Sequence, residues 1–573
     1  MHDAGDRARP VISRRLFLAG ALGAGAAAVV AAGLSASESL GSVLPTPAAP
    51  GATPGPTPTP ATASGPPPTS TPGPVAAPPR RLEIASVLPP RRHDHPVARE
   101  NRRPGTWRWN RGVRGASGAE GFASAASVAP GERLRLHIAA PGPVEVEWYR
   151  LGWYGGSGGR LVRRDRQVAA VPRGNVRSHP LTGIVEPGWP PSIEVEIDER
   201  WTSGLHVAVL RADRGHSAYV PFVVRPAAAA RDRAPVLLVS AASTWQAYNA
   251  WGGRSLYGFN STGLPTMSGT AGAVTVSFDR PYLRARGSED LFRWETQLVR
   301  WQEREERDVE YIADVDLELH PDLVEGRRLL VFAGHHEYWS APMRRTLERA
   351  VGGGANACFL SANQLYWAVR LNPSRIGPGR RITCFRGLRG DVVAAADPGR
   401  ATTRWRDDPL DEPEAALIGQ QFGHVLREPA DWVVRDADHW IYQGTGLRDG
   451  DRIGQLVGGE CDTFVESLAP PDTRVLARGP VRTRSGGDEV GEAGLPLEHT
   501  ATIYTAESGA TVFAAGTFQW TWALDDFRLF DERNGTTPVD VRVARMTENL
   551  FDRLGDGPTR RSLYVGAPLD GVS

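Results

Sequence analysis

The chain contains no lysine; all 66 of its basic residues are arginines. That excludes an amine nucleophile, a Schiff base and a P-loop lysine. Cysteine is scarce, with three among 573 residues, which excludes a disulfide scaffold. An excess of charge is missing too. The 66 basic residues meet 65 acidic ones for a net charge of +1, whereas a protein that tracks phosphates carries a basic surplus. No nucleic-acid partner is expected. Beyond about Leu34 no apolar run is long enough to cross a bilayer. His-Glu-x-x-His and Cys-x-x-Cys spacings are also absent, and with them the commonest zinc patterns.

What is present is an ordinary globular composition, 41% hydrophobic and 23% charged. The 573 residues suit roughly three to five domains. Seventeen tryptophans are many, and they cluster.

The N-terminus is address and tether. Ser13-Arg14-Arg15-Leu16-Phe17-Leu18 precedes an Ala/Gly-rich apolar stretch, which reads as a twin-arginine export signal over residues 1–43. That route carries folded proteins, so a metal loaded in the cytoplasm is compatible with it. The expected location is periplasmic, extracellular, or membrane-anchored facing outward. No clear Ala-x-Ala cleavage site follows, so an N-terminal membrane anchor stays open. Residues 44–84 are rich in Pro, Thr and Ala and predict a disordered linker. Residues 556–573 read as a tail.

Residues 85–227 predict an all-β unit. Leu134 to Ile138, Val144 to Tyr149, Ser192 to Ile197, Leu205 to Leu210 and Tyr219 to Val224 alternate or run apolar between Gly and Pro punctuation. Short strands at this spacing suggest an immunoglobulin-like β-sandwich. The aromatic segment Arg150-Leu151-Gly152-Trp153-Tyr154-Gly155-Gly156 is either a ligand platform or, the preferred reading, a hairpin packed on the next domain.

Residues 233–555 alternate strand and helix. Strands are expected at Val236 to Val239, Asp308 to Ile312, Leu329 to Ala333, Ala357 to Leu360 and Val512 to Ala515. One helix is expected from Glu289 to about Glu305, capped by Ser288, and another from Ser340 to Val351 with Pro342 in its first turn. A closing helix is expected over 541–553. This repetition predicts a doubly wound, largely parallel sheet with helices on both faces, and the stretch 371–500 reads as a loop-rich insertion.

Open α/β sheets bind ligands beyond the carboxyl ends of their strands. Those ends carry Ser243 to Asn249 and then Tyr257, Asp314 and Asp316, Gly334 to Trp339, and Ser361 to Trp367. His335-His336-Glu337 is the strongest segment, fit for metal ligation or for acid–base chemistry. Adjacent side chains diverge, so His335 and Glu337 are expected to share a side while His336 faces elsewhere. Tyr248 and Tyr257 could supply hard anionic oxygens, or could simply pack and hydrogen-bond. Asp314 and Asp316 more often cap the following turn. Asn363 could donate to a substrate carbonyl or support its own loop. Cys358 lies in an expected buried strand, and Cys384 and Cys461 have no obvious histidine neighbour. Glu337 with Glu460 or Glu466 could form a glycosidase-type carboxylate pair.

Taken together, Thr244-Trp245-Gln246-Ala247-Tyr248-Asn249, Ser255-Leu256-Tyr257, Gly334-His335-His336-Glu337-Tyr338, Asn363-Gln364-Leu365-Tyr366-Trp367 and the Arg150 to Gly156 segment resemble the large (β) subunit of N,N-dimethylformamidase, over about residues 95–530. The resemblance implies a sandwich-like domain followed by a glutamine-amidotransferase-like α/β domain. It implies a mononuclear Fe(III) held by Tyr248, Tyr257 and Glu337, with His335 either supporting the ligands or acting as an acid–base group. The implied chemistry is hydrolysis of an amide C–N bond, with the iron as Lewis acid. The expected substrate is a small-molecule amide or a cell-envelope component. No small partner subunit is evident in this chain, and a homo-oligomer stays open. The alternatives are a non-catalytic exported binding protein that keeps the fold and, further off, a glycoside hydrolase.

Overall fold

The structure, a computed structural model, describes residues 95–111, 118–212, 217–227, 233–283, 290–483, 494–529 and 537–555. The export signal, the linker, the tail and the Ser288 cap lie outside the described residues. The chain is mixed α/β, with several sheets.

The first sheets follow the alternating segments. Five strands pair in the order Ser127–Val128, Ser217–Val224, Gly204–Arg211, Val144–Leu151, Gly159–Val168. Three more pair as Glu120–Ala123, Arg133–Ala139, Ile193–Glu196. Leu134, Leu136 and Ile138 of the smaller sheet pack with Val146, Trp148, Ala208, Leu210 and Phe222 of the larger one. The period of two decides the rest. The intervening residues Tyr149, Leu151, Val207 and Val209 point the other way and join Leu298, Val299 and Trp301 of the α/β part in one core. The larger sheet is thus buried on both faces, which is why Gly204–Arg211 reads as a near-continuous apolar run.

The central sheet has seven strands: β1 Val236–Ser240, β2 Val309–Ala313, β3 Leu329–Phe332, β4 Asn356–Phe359, β5 Arg474–Pro480, β6 Glu498–Thr505 and β7 Thr511–Ala514. Their order is β2-β1-β3-β4-β7-β6-β5. The first five in that order pair in parallel, and β6 and β5 extend the sheet antiparallel. Three helices matter below: α1 Ala242–Tyr248, α2 Thr296–Arg304 and α3 Ala341–Gly352. Ser340 caps α3 by accepting from Met343 N at 3.3 Å, with a proline in the first turn. The expected single helix before β2 differs: residues Leu291–Glu295 form a π-helical turn that leads into α2.

The stretch 371–500 is the one read from sequence as a loop-rich insertion. It holds Arg381–Thr383, Gln421–Val425, Ala430–Val433, Arg452–Val457, Glu460–Thr463 and β5, and β6 begins at its end. Four of these strands pair only in twos, Gln421–Val425 with Glu460–Thr463 and Ala430–Val433 with Arg452–Val457, and most of the strands are short, so each leaves little periodicity to read.

The Arg150 segment packs on the α/β part. The fully buried Arg150 guanidinium donates to both Glu303 oxygens on α2, at 2.7 and 3.0 Å, and to Tyr154 Oη at 3.1 Å. Trp153 lies under Arg300 of α2, 4.9 Å from guanidinium to ring centre.

Candidate active site

The site forms where the parallel strands end, as the sheet rule expects. α1 follows β1 directly. Asp314, just past β2, accepts from Ser243 N at 3.1 and 3.0 Å and so binds the first turn of α1. Tyr248 is the last residue of α1. The chain then loops back: Leu256 N donates to Ala247 O at 2.9 Å, and Asn260 Nδ2 to Tyr248 O at 3.2 Å. The buried Arg280 guanidinium pins this loop, donating to Asn249 O and Arg254 O at 2.7 Å each. The result brings the phenolic oxygens of Tyr248 and Tyr257 to 2.8 Å.

The turn after β3 meets them. Gly334 adopts φ 79°, and a Cβ there would lie 2.8 Å from Glu295 Cγ. This left-handed step is one glycine alone takes freely. The turn is then held to α1 by Glu337 N, which donates to Thr244 Oγ1 at 3.1 Å. Tyr248 donates to Glu337 Oε2 at 2.7 Å, and Tyr257 to Glu337 Oε1. His335 Nε2 stands 3.3 Å from Glu337 Oε2 on the same side. His336 points away, its Nε2 at 3.1 Å from Val239 O and its ring against Phe332 and Trp339.

The loop after β4 closes the site. Asn363 and Leu365 have φ of 52° and 55°. Asn363 N donates to Asp462 Oδ1 at 2.8 Å, and its Nδ2 to Glu460 Oε2 at 2.7 Å. Glu460 also comes within 4.0 Å of His335 Nε2. So Glu460, weighed in sequence only as a glycosidase partner, stands in the same cluster as Glu337. The signal that could have placed it is weak: one acidic residue at the start of a short strand. Arg386 was not singled out from sequence. Its guanidinium carbon lies 3.6 Å from the Tyr257 ring centre, and it donates to Tyr338 Oη.

Asp314 and Asp316 hold backbone amides near the strand ends, Asp314 those of Ser243 and Val315. Asp316 accepts from Ala313 N at 2.9 Å and from Ser127 Oγ at 2.5 Å. All three cysteines are buried and free, and burial pushes the Cys358 thiol up.

Burial dominates the electrostatics. It raises the Glu337 carboxyl, and it raises Tyr248 and Tyr257 well above the usual phenol range, with the Glu337 charge adding to both. Burial and then Glu337 raise Glu460 well above the carboxylate range. Burial holds His335 down at about 3, a neutral imidazole. Its Nε2 has no hydrogen-bond partner among the described residues.

Could these residues hold a hard cation? Neighbouring oxygens around an octahedral ion with bonds of about 2.0–2.1 Å lie about 2.9 Å apart. The Tyr248, Tyr257 and Glu337 oxygens already sit at 2.7 and 2.8 Å, joined by protons that an ion could replace. Oxygen donors of this kind suit a hard ion. Among the described residues no three His, Cys, Asp or Glu side chains gather into a metal cluster, so a metal here would rest on the phenols.

A family model described as N,N-dimethylformamidase beta subunit-like, C-terminal, matches residues 145–536. The chain belongs to that family. Membership in this dimethylformamidase-like family points to amide hydrolysis as the class of reaction. The match spans the Arg150 segment, both tyrosines, the His335 turn, Asn363, Arg386 and Glu460. No curated protein matches the chain.

Proposed function

We propose that the chain is an exported, iron-dependent hydrolase of a small-molecule or cell-envelope amide. Tyr248, Tyr257 and Glu337 would hold a mononuclear Fe(III). His335, Glu460 and Asn363 would face the substrate. In fold terms we read a glutamine-amidotransferase-like α/β domain over 233–555, preceded by an immunoglobulin-like sandwich over 85–227. The observation that carries the functional reading is the convergence of three hard oxygens in a dimethylformamidase-like chain.

When bound, the ion supplies Lewis acidity toward the amide carbonyl. The chain's own residues handle the proton. Hydrolysis adds water across the C–N bond, giving a carboxylic acid and an amine. One proton must leave the attacking water, and one must reach the leaving nitrogen. We assign both transfers to Glu460, which lies within 4.0 Å of His335 Nε2 and whose carboxyl is raised by burial above the usual carboxylate range. Asn363 Nδ2 holds it in place. His335, neutral and lacking a partner at Nε2, is free to orient the water.

Glu337→Ala and Tyr248→Phe test the ligand set. Each is expected to lose the bound iron while far-ultraviolet circular dichroism stays that of the wild type. Stoichiometric iron in either variant would refute the assignment.

A further inference from the structure

Arg386 stands at the edge of the tyrosine cluster. Its guanidinium carbon lies 3.6 Å from the Tyr257 ring centre and 5.1 Å from that of Trp367. It donates through Nη2 to Tyr338 Oη. The Tyr338 ring in turn stands edge-on to Tyr248 and to Tyr257, at 6.5 Å from each. The side chain is half-buried, and among the described residues no carboxylate lies within ion-pair distance of it. The backbone around it is fixed. Cys384 N donates to Val274 O at 2.8 Å, Phe385 N to Thr402 Oγ1 at 2.9 Å and Gly387 N to Thr402 O at 3.2 Å. Arg386 itself takes φ 58°. A strained, clamped backbone thus delivers a permanent cation to a tyrosine face instead of to a carboxylate.

Such a placement has a use. A guanidinium over a phenol ring is attracted to its electrons, and more strongly if that ring becomes an anion. Two phenolates and one carboxylate gathered on one ion repel one another, and a nearby fixed cation offsets part of that repulsion. We infer that Arg386 is a positioning residue for the iron centre: it fixes the Tyr257 ring and balances the charge that the tyrosine ligands gather. This rests on the iron reading given above.

The test compares wild type with Arg386→Gln, Arg386→Lys and Tyr338→Phe, each purified without added metal. The readouts are the iron-to-protein ratio and the visible tyrosinate–Fe(III) band. A cation beside the phenolate lowers the energy of its electrons, so removing it brings the charge-transfer transition to lower energy. Arg386→Gln is expected to move the band to longer wavelength and to lower the iron ratio at least about twofold, with thermal unfolding little changed. Arg386→Lys, which keeps the charge, is expected to recover most of the iron. Tyr338→Phe loosens the guanidinium without removing it, so a smaller shift in the same direction is expected; it carries the test if Arg386→Gln does not fold. An unshifted band with full iron in Arg386→Gln, or in Tyr338→Phe where that variant stands in, would overturn the role of Arg386 and leave the iron reading intact. A wild-type protein without iron would overturn the iron reading itself, and this inference with it.

Discussion

Glu460 and Asp314 show how one physical cause serves two purposes. Both carboxyls are pushed up by burial. Glu460 sits beside His335 and Asn363, where a raised proton affinity suits proton transfer. Glu460→Gln keeps the size and an acceptor for Asn363 but cannot exchange a proton. We expect it to lose about 10²–10⁴-fold in kcat on an amide substrate while retaining its iron. Unchanged turnover would remove Glu460 from the mechanism. Asp314 instead holds the first turn of α1 and titrates at about 8 in the folded protein, against about 4 when exposed. The folded state therefore binds this proton more tightly. The stability it contributes is full below about pH 4 and is lost as pH rises toward 8, at up to about 1.4 kcal/mol per pH unit. Asp314→Asn should flatten that slope in denaturation curves taken between pH 5 and 8. A slope equal to that of the wild type would show that Asp314 titrates normally.

At the scale of the element, the turn after β3 matters most. It must reverse direction in left-handed backbone at Gly334 and pass close over Glu295 before presenting His335 and Glu337 together. Gly334→Ala imposes both a strained φ and a contact at 2.8 Å with Glu295 Cγ. A loss of about 1–3 kcal/mol in urea unfolding is expected, together with loss of iron. Wild-type stability in that variant would mean that the turn tolerates a side chain. The place of this element was legible in sequence, because a buried apolar run followed by Gly-His-His-Glu and then a capped helix marks a strand-to-helix turn, although the short strand Tyr338–Ser340 inside it was not. The divergence of His336 from His335 and Glu337 follows from the same local rule. Arg386 was not legible as a site residue, and Glu460 was weighed only as one of two partners in a glycosidase-type pair. They reach the site from the 371–500 stretch, whose short strands show no clear period and whose pairing depends on distant partners such as β6. The π-helical turn at Leu291–Glu295 was invisible for a related reason: it keeps an apolar face that an α-helix would also show.

At the scale of the molecule, the five-stranded sheet is a shared wall between the smaller sheet and the α/β part. Its alternation fixes which residues face each side. The Arg150–Glu303 pair ties that wall to α2 with no solvent access to either side chain. Breaking such a pair leaves a buried charge uncompensated. Arg150→Met should therefore cost about 3–5 kcal/mol, measured by chemical denaturation. A cost near zero would show that Tyr311 and Asn101, which already donate to Glu303, satisfy it without the guanidinium. No helix among the described residues is long and apolar enough to cross a membrane. The proposal of export rests on the arginine pair and the apolar stretch after it, which lie outside the described residues.

The central claim is that Tyr248, Tyr257 and Glu337 hold iron. The most direct test is elemental analysis with a visible spectrum on the full chain purified without added metal. We expect iron near one per chain and a broad visible band from tyrosinate–Fe(III) charge transfer. Folded protein with no iron and no band would contradict the claim and favour a binding role for the fold. Zinc without a band would keep a metal hydrolase but undo the tyrosine ligands.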